Sequence, residues 1–433
     1  MNLSTLISSV NRGRGNKQEI VNEENPLATT SERDDSGHKF KLLTFFSLYI
    51  AQSVPMSLFS TLLPVLMRED NFSLTSIGLL QCIKLPWIIK FLWAPLVDRN
   101  TSNLKTYKKW IFCSEAVYAF LILAIALLNL KTDFLLILVL IVLSFVASGT
   151  QDIATDALTT LSFNRKERSR GNSMQSMGSF AGSLVGGGLL LVLYKYIGWT
   201  SMLLGLSVFV LIMLIPLYQY KDKSFTSHSG RVPIGMKDLL SFFRQRRIGS
   251  QLTFLILFNS GLIGTLAMLK PWLVDLHYPM AHIGLMFSVF GSLCGCIGSY
   301  FSGNIIRRWG RGKAATLYAI CILFTGLYFA GLSHFGLLST INLYIGIFFL
   351  WGSYGLATVL IYTIAMDYVR VGREGTDFTL QIVALHLSSM LVAVGSGKLA
   401  DHLGYTTLFV VESLFALGSL LYVWFYFKKM HRA

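Results

Sequence analysis

Long apolar runs separated by short polar segments rich in Lys and Arg make up most of this chain. A bilayer core about 30 Å thick takes roughly 20 apolar residues to cross as a helix. On that measure the pattern predicts twelve spans. They lie near 42–67, 74–97, 109–130, 134–160, 172–196, 200–219, 250–275, 281–306, 314–333, 339–366, 377–397 and 406–427. Helices are expected because backbone groups in lipid must satisfy their own hydrogen bonds. The fourth and tenth are long, and are expected to tilt or project past the bilayer. Gly395 and Gly397 interrupt the eleventh. Residues 1–41 read as a disordered polar tail and 428–433 as a short basic one. Leu3–Val10 is too short and too polar for a signal-peptide core.

The longest internal polar stretch, 220–249, contains Met236–Arg247, with apolar residues at helical spacing and a basic face. Such a segment is expected to lie on the membrane surface. It separates two six-span halves, 42–219 and 250–427. The halves repeat in the same direction at an offset of 206: Ile77-Gly78 returns as Ile283-Gly284, and Ile197-Gly-Trp-Thr200 as Leu403-Gly-Tyr-Thr406. The expected class is an all-α polytopic membrane protein.

Composition agrees with this pattern. Of the 433 residues 53% are hydrophobic and only 14% charged, whereas soluble domains are about a quarter charged. The net charge of +15 is spread through the loops, so no nucleic-acid partner is expected. Segments after even-numbered spans hold 24 Lys and Arg, those after odd-numbered spans four. By the positive-inside rule both termini are cytoplasmic. The five cysteines (Cys82, Cys113, Cys294, Cys296, Cys321) fall in apolar runs. They read as small packing residues, without disulfide or metal.

The loop residues then carry a resemblance. Gly303-x-x-x-Arg307-Arg308-x-Gly310-Arg311-x-Lys313 resembles the loop signature of the major facilitator superfamily, Gly-x-x-x-Asp-Arg/Lys-x-Gly-Arg/Lys-x-Arg/Lys, with Arg307 where the family has Asp. The first copy keeps Asp98-Arg99 but has Ala94 in place of the glycine. Within the superfamily the chain resembles the branch of AmpG-type muropeptide permeases, acetyl-CoA transporters and RhtX/FptX-type siderophore importers. Lys90-Phe-Leu-Trp-Ala-Pro-Leu-Val-Asp-Arg99, Gln151-Asp-Ile-Ala-Thr-Asp-Ala157, Met366-Asp-Tyr and Gly375-Thr-Asp-Phe-Thr-Leu-Gln381 carry it. Leu85-Pro-Trp and the last of these runs point towards the siderophore side. The resemblance implies twelve transmembrane helices in two parallel six-helix halves. It also implies a small-molecule solute, a monomer in the lipid bilayer, and a bacterial inner membrane.

Ionisable residues at membrane depth are costly and mark function. Asp152 and Asp156 are four residues apart on one face of the fourth span. Lys90 lies in the inner half of the second, so an interior ion pair among the three is expected, one that couples proton entry to the conformational cycle. Lys84 is deeper, shares a side with Gln81, and is expected to meet an anionic substrate group in the central cavity. Gln52, Asn259, Trp351, Tyr354 and His386 complete the expected cavity. Gln381 is a further polar candidate, whereas Lys270 reads as snorkelling and Glu115 and Glu412 as interfacial. Asp98 and Arg99, with Arg307, Arg308 and Arg311, are expected to latch the cytoplasmic loops. Asp98 would pair with a basic residue or helix end of the opposite half. Gly178, Gly182 and Gly186 in the fifth span, and Gly291, Gly295 and Gly298 in the eighth, form small-residue stripes. The resemblance implies that these two spans meet between the halves, so both stripes are expected there.

The function expected is secondary active transport, as proton-coupled import of a siderophore or muropeptide-like solute by alternating access. No cofactor is expected beyond the proton gradient. An exporter or an acyl-CoA-type anion exchanger fits the same fold. An intramembrane transferase is a poorer match, because neither His-Glu-x-x-His nor Gly-x-Ser-x-Gly occurs. The chain is therefore not read as an enzyme.

Overall fold

The computed structural model describes residues 26–69, 83–101, 103–129, 132–221 and 235–431. Residues up to Lys39 form one unit and Phe40–Ala433 a second. Almost every described residue is helical, and no strand occurs among them. The helix of the first span begins at Pro26 and runs to Glu69. The expected disordered tail is thus helical from Pro26 on; residues 1–25 lie outside the described residues. Between Pro26 and Pro55 no proline stops the helix from propagating towards the N-terminus.

Among the described residues eight helices are long and apolar enough to cross a bilayer: Gly37–Met67, Leu104–Ala126, Phe134–Ser162, Arg168–Gln219, Ile248–Asp275, His282–Phe335, Thr340–Asp367 and Glu374–Phe427. Three of them are near double length, 52, 54 and 54 residues. Each is folded at one glycine: Gly198 (φ 71°, ψ 179°), Gly310 (φ 80°, ψ 165°) and Gly404 (φ 79°, ψ 166°). That region of backbone space is open essentially to glycine alone. The junctions divide spans five from six, eight from nine, and eleven from twelve. Gly198 and Gly404 stand 206 positions apart with nearly the same dihedrals, so the internal repeat extends to the turn. Gly395 and Gly397 do not interrupt the eleventh span, which is helical from Glu374 to the turn at Gly404. Of the second span the structure describes the C-terminal portion, Ile83 to Val97.

The buried apolar residues sort by sequence. Phe45 through Tyr220 fill two clusters, and Phe254 through Tyr426 a separate large one. Phe120, Leu135, Tyr196 and Leu391 are among many large apolar side chains left 66–81% exposed, the surface that a bilayer covers. In the linker, a helix runs only from Met236 to Phe242. It buries Leu239 and Phe242 against Ile248 and Leu380, while Met236, Leu240 and Phe243 stay exposed. The linker therefore docks on the bundle and keeps an outward apolar edge.

Candidate functional site

The second span is broken where its chemistry sits. Pro86 opens a short helix, Leu85–Ile89, and Pro95 lies in the next, Ala94–Arg99. Proline removes a helical N–H, and between the two prolines the chain tightens to a 3₁₀ turn at Lys90–Leu92. This turn presents Lys90 inwards, only 1% exposed. Its ammonium pairs with Asp152 and lies 4.6 Å from the centre of the Trp87 ring. Gly149 leaves room beside its aliphatic stem.

The rest of the cluster comes from the first, fourth and fifth spans. Gln52 donates to Asp152 Oδ1 at 2.9 Å. Asp156, one turn on, accepts two bonds on its Oδ1, from Tyr49 O–H at 2.7 Å and Gln175 Nε2 at 3.0 Å. Tyr49 also contacts Thr159 at 3.1 Å. Asp152 and Asp156 are 3% and 2% exposed, as expected of carboxylates that are held rather than solvated. The expected trio is therefore assembled, with Lys90 bonded to Asp152 rather than Asp156. Tyr49 and Gln175 were not anticipated; Tyr49 lies one turn before Gln52 on the same face. From the opposite side, His386 and Tyr362 lie within electrostatic range of this cluster. His386 is exposed.

The other expected cavity residues divide. Lys84 is half-buried and Lys270 exposed. Lys270 sits 5.2 Å from the Phe287 ring centre. Trp351 and Tyr354 form an aromatic group with Phe180 and Phe287, at centroid distances of 5.9–6.4 Å. Gln52 belongs to the ion-pair cluster. Asn259 is buried and bonds Ser389 at 2.9 Å, and Gln381 is buried between Gln251 and the carbonyl of Ala365, so both are packing groups. Gln81 lies outside the described residues. Glu115 and Glu412 are buried in the bundle, 0% and 1% exposed. Glu412 accepts Ser396 O–H at 2.8 Å against Gly264.

At the end carrying the basic loops the halves are latched. Asp98, fully buried, accepts the N–H of Gly375 at 3.0 Å and of Thr376 at 2.7 Å. It thereby caps the helix that starts at Glu374. Gly375 permits the approach, since a Cβ there would stand 2.9 Å from the carboxylate. Burial pushes the Asp98 carboxyl up to about 7, against the lowering effect of these bonds. Of the two partner types expected for Asp98, the helix end is the one found. The second copy is charge-inverted. Arg307, in place of the acid, donates to Glu167 at 3.1 Å, and Glu167 is the N-cap of the helix Arg168–Leu184. Behind it Asp367 is ringed by Arg165, Arg168 and Arg311, a role for Asp367 and Arg168 not anticipated. Arg99 and Arg308 are exposed.

One glycine expectation is overturned. A Cβ at Gly178, Gly182 or Gly186 would strike Tyr49, Ser53 or Val54 of the first span, so this stripe packs within one half. Gly291 faces Trp351 and Gly298 faces Gly352, both of the tenth span. Of these three, Gly295, under the Phe180 ring, is the one that meets the fifth span. Spans five and eight do meet, but through serines: Ser173 O–H donates to Ser299 O at 2.7 Å, Ser169 O–H to Gly303 O at 2.9 Å, and Ser176 pairs with Ser299 at 2.8 Å. Positions 169, 173, 176 and 180 share one helical face, a spacing visible in the sequence.

A helical bundle with ion pairs sealed at its centre and charged latches at one end defines a polytopic membrane transporter. The sequence profile of the Major Facilitator Superfamily matches residues 43–380, and the chain belongs to that family. It is 22% identical over 389 residues to the anhydromuropeptide permease of Escherichia coli K12, covering 86% of this chain and 77% of the relative. It is 23% identical over 408 residues to a Rickettsia conorii transporter named AmpG 4, covering 88% and 95%. Among solved structures it matches FucP in the outward conformation (TM-score 0.68, 16% identity, 90% and 98% covered). It also matches the human organic anion transporter MFSD10 (TM-score 0.69, 13% identity, 89% and 99% covered). The two curated relatives fall on the muropeptide side of the resemblance rather than the siderophore side.

Proposed function

We propose that this chain imports an anhydromuropeptide-like solute across a bacterial inner membrane, driven by the proton gradient, with both termini cytoplasmic. The observation that carries the reading is the division of labour between the two aspartates. Asp152 is held by Lys90 and Gln52. The hydrogen bonds that Asp156 accepts from Tyr49 and Gln175 both fall on Oδ1, and its carboxyl also meets that of Asp152, a contact that a proton on one of the two carboxyls satisfies. A carboxyl in such a site changes its proton affinity as water reaches it or is excluded. The Lys90 ammonium nearby provides the other half of the coupling, because a proton on either carboxylate changes which one it prefers.

With the basic loops on the cytoplasmic side, the latched end is the inner one. Solute then enters from outside, past Lys84 and His386. The curated relatives support the cargo class, and the aromatic group around Trp351 suits the sugar rings of such a solute. Uptake of labelled anhydromuropeptide into vesicles, with and without an uncoupler, tests this. Accumulation abolished by the uncoupler is expected. Uncoupler-insensitive uptake, or accumulation of a ferric siderophore in its place, would refute it.

A further inference from the structure

Among the described residues Asp367 is the one carboxylate that Arg165, Arg168 and Arg311 meet. Three guanidinium groups on one acid leave two positive charges unbalanced. Arg168 is absorbed by the protein, donating also to the carbonyl of Met366 at 3.0 Å. Arg311 donates to Asp367 Oδ1 at 3.0 Å and to the Arg165 carbonyl at 2.6 Å, which fixes the Arg165 backbone beside it. The Arg165 side chain is held far less. It is 67% exposed and reaches Asp367 through Nε, at 3.5 Å, so its two terminal nitrogens have no acceptor among the described residues. Arg165, Arg311 and Asp367 line a cavity of about 230 Å³ with Tyr368, Tyr426 and Phe427. The Tyr426 hydroxyl donates to Gln251 at 2.7 Å and stands 3.0 Å from that of Tyr368, so the aromatic part of the wall is held in place. Basic loops alone satisfy the positive-inside rule wherever their charges lie; it does not call for arginines gathered around a cavity. A guanidinium with spare N–H groups matches the oxygens of a phosphate two at a time.

We propose that this cavity is a phosphate-binding site, separate from the solute path, in which Arg165 and Arg311 share the anion. Arg165 belongs to the loop after the fourth span and Arg311 to the loop after the eighth. The bound phosphate therefore adds a bridge beside the Asp367 one and steadies the latched end. A ligand that needs both arginines in place binds the latched form better than an open one, which is the condition for shifting the balance between them. Free phosphate and a lipid headgroup offer the same chemistry here, since Tyr426 and Phe427 stand at the end of the twelfth span, at headgroup level. The inference goes beyond the import reading and depends neither on the cargo nor on its direction.

The test follows the unfolding midpoint of the full chain in nanodiscs, in two arms. In phosphatidylcholine, inorganic phosphate replaces chloride at constant ionic strength; a saturable rise assigns the site to soluble phosphate. In phosphatidylglycerol without added phosphate, a rise over the phosphatidylcholine value assigns it to a headgroup. In whichever arm the native chain responds, Arg165→Gln should lose the response, needing at least tenfold more phosphate or keeping less than a third of the lipid-induced rise. Arg244→Gln, which alters an exposed arginine of the linker, should respond as the native chain does. A cysteine placed at Ser169 should be labelled at least threefold more slowly from the latched end when the site is filled. A midpoint that rises in neither arm, a rise that Arg165→Gln keeps in full, or labelling that the filled site leaves unchanged would overturn the proposal. Neither readout needs cargo, so failure of muropeptide uptake with an intact phosphate response refutes the import reading and leaves this site standing.

Discussion

The carboxylate of Asp98 accepts the backbone N–H of Thr376 at 2.7 Å, across 278 positions of sequence. With its partner bond from Gly375 this ties the end of the second span to the first turn of the eleventh. Asp98→Asn should weaken the tie, because the amide nitrogen donates and cannot accept one of the two N–H groups. A buried donor left unsatisfied costs about 1–3 kcal/mol. The expected outcome is transport reduced about tenfold, with a cysteine placed at Ser169 labelled faster from the latched end. Unchanged labelling and transport would remove the latch.

The same contact should depend on pH, in a direction fixed by its pKa. Burial raises the Asp98 carboxyl in the closed latch to about 7, against about 3.9 when it is exposed. The closed form therefore binds more protons between these values. Its advantage is fully present below about 4, declines as pH rises, and is gone above about 7. Labelling at the latched end should accordingly speed up as pH is raised through this window, and Asp98→Asn should abolish the step. A rate that slows with rising pH would contradict the assignment.

Removing one partner of the central pair should be costly and removing both should not. Lys90→Met strands Asp152 as an unpaired charge in the bundle core, which typically costs about 3–5 kcal/mol. Adding Asp152→Asn restores a neutral site. The unfolding midpoint of the single variant should fall sharply and that of the double variant recover most of the loss. Additive losses would show that the two side chains do not depend on each other.

The glycines should separate stability from transport. Gly182→Ala places a methyl 2.3 Å from the Ser53 Cβ and 2.9 Å from its backbone carbon. These belong to a packed helix that cannot give way, so expression and midpoint should drop. Gly295→Ala meets the Phe180 ring first, a side chain rather than a packed backbone. It lies between spans five and eight, so transport rate should suffer more than the midpoint. Equal effects in both would argue against a moving contact there.

What the sequence made legible follows the physics of a chain in lipid. The all-helical membrane fold, the parallel repeat and an ion pair among Lys90, Asp152 and Asp156 could be read because length, glycine placement and buried charge leave strong signals. Helix facing could not. In lipid the outer face is as apolar as the core, so the Gly178 stripe gave no sign that Tyr49 and Ser53 were its neighbours. For the same reason the burial of Glu115 and Glu412 within the bundle could not be read from their distance to the span ends. Asp367 was legible only as part of the resemblance, since its ring of arginines comes from two segments distant in sequence, Arg165 and Arg168 after the fourth span and Arg311 after the eighth. Ser169, Ser173 and Ser176 were missed because small polar residues in a span read equally as packing.

The claim that Asp156 carries the proton is tested most directly by comparing two modes of transport in Asp156→Asn. Vesicles loaded with labelled anhydromuropeptide are assayed for exchange against unlabelled solute, which needs no net proton movement, and for accumulation under an imposed pH gradient. Exchange within about threefold of the native rate, with gradient-driven accumulation lost, is the expected result. Accumulation at the native level in Asp156→Asn would contradict it.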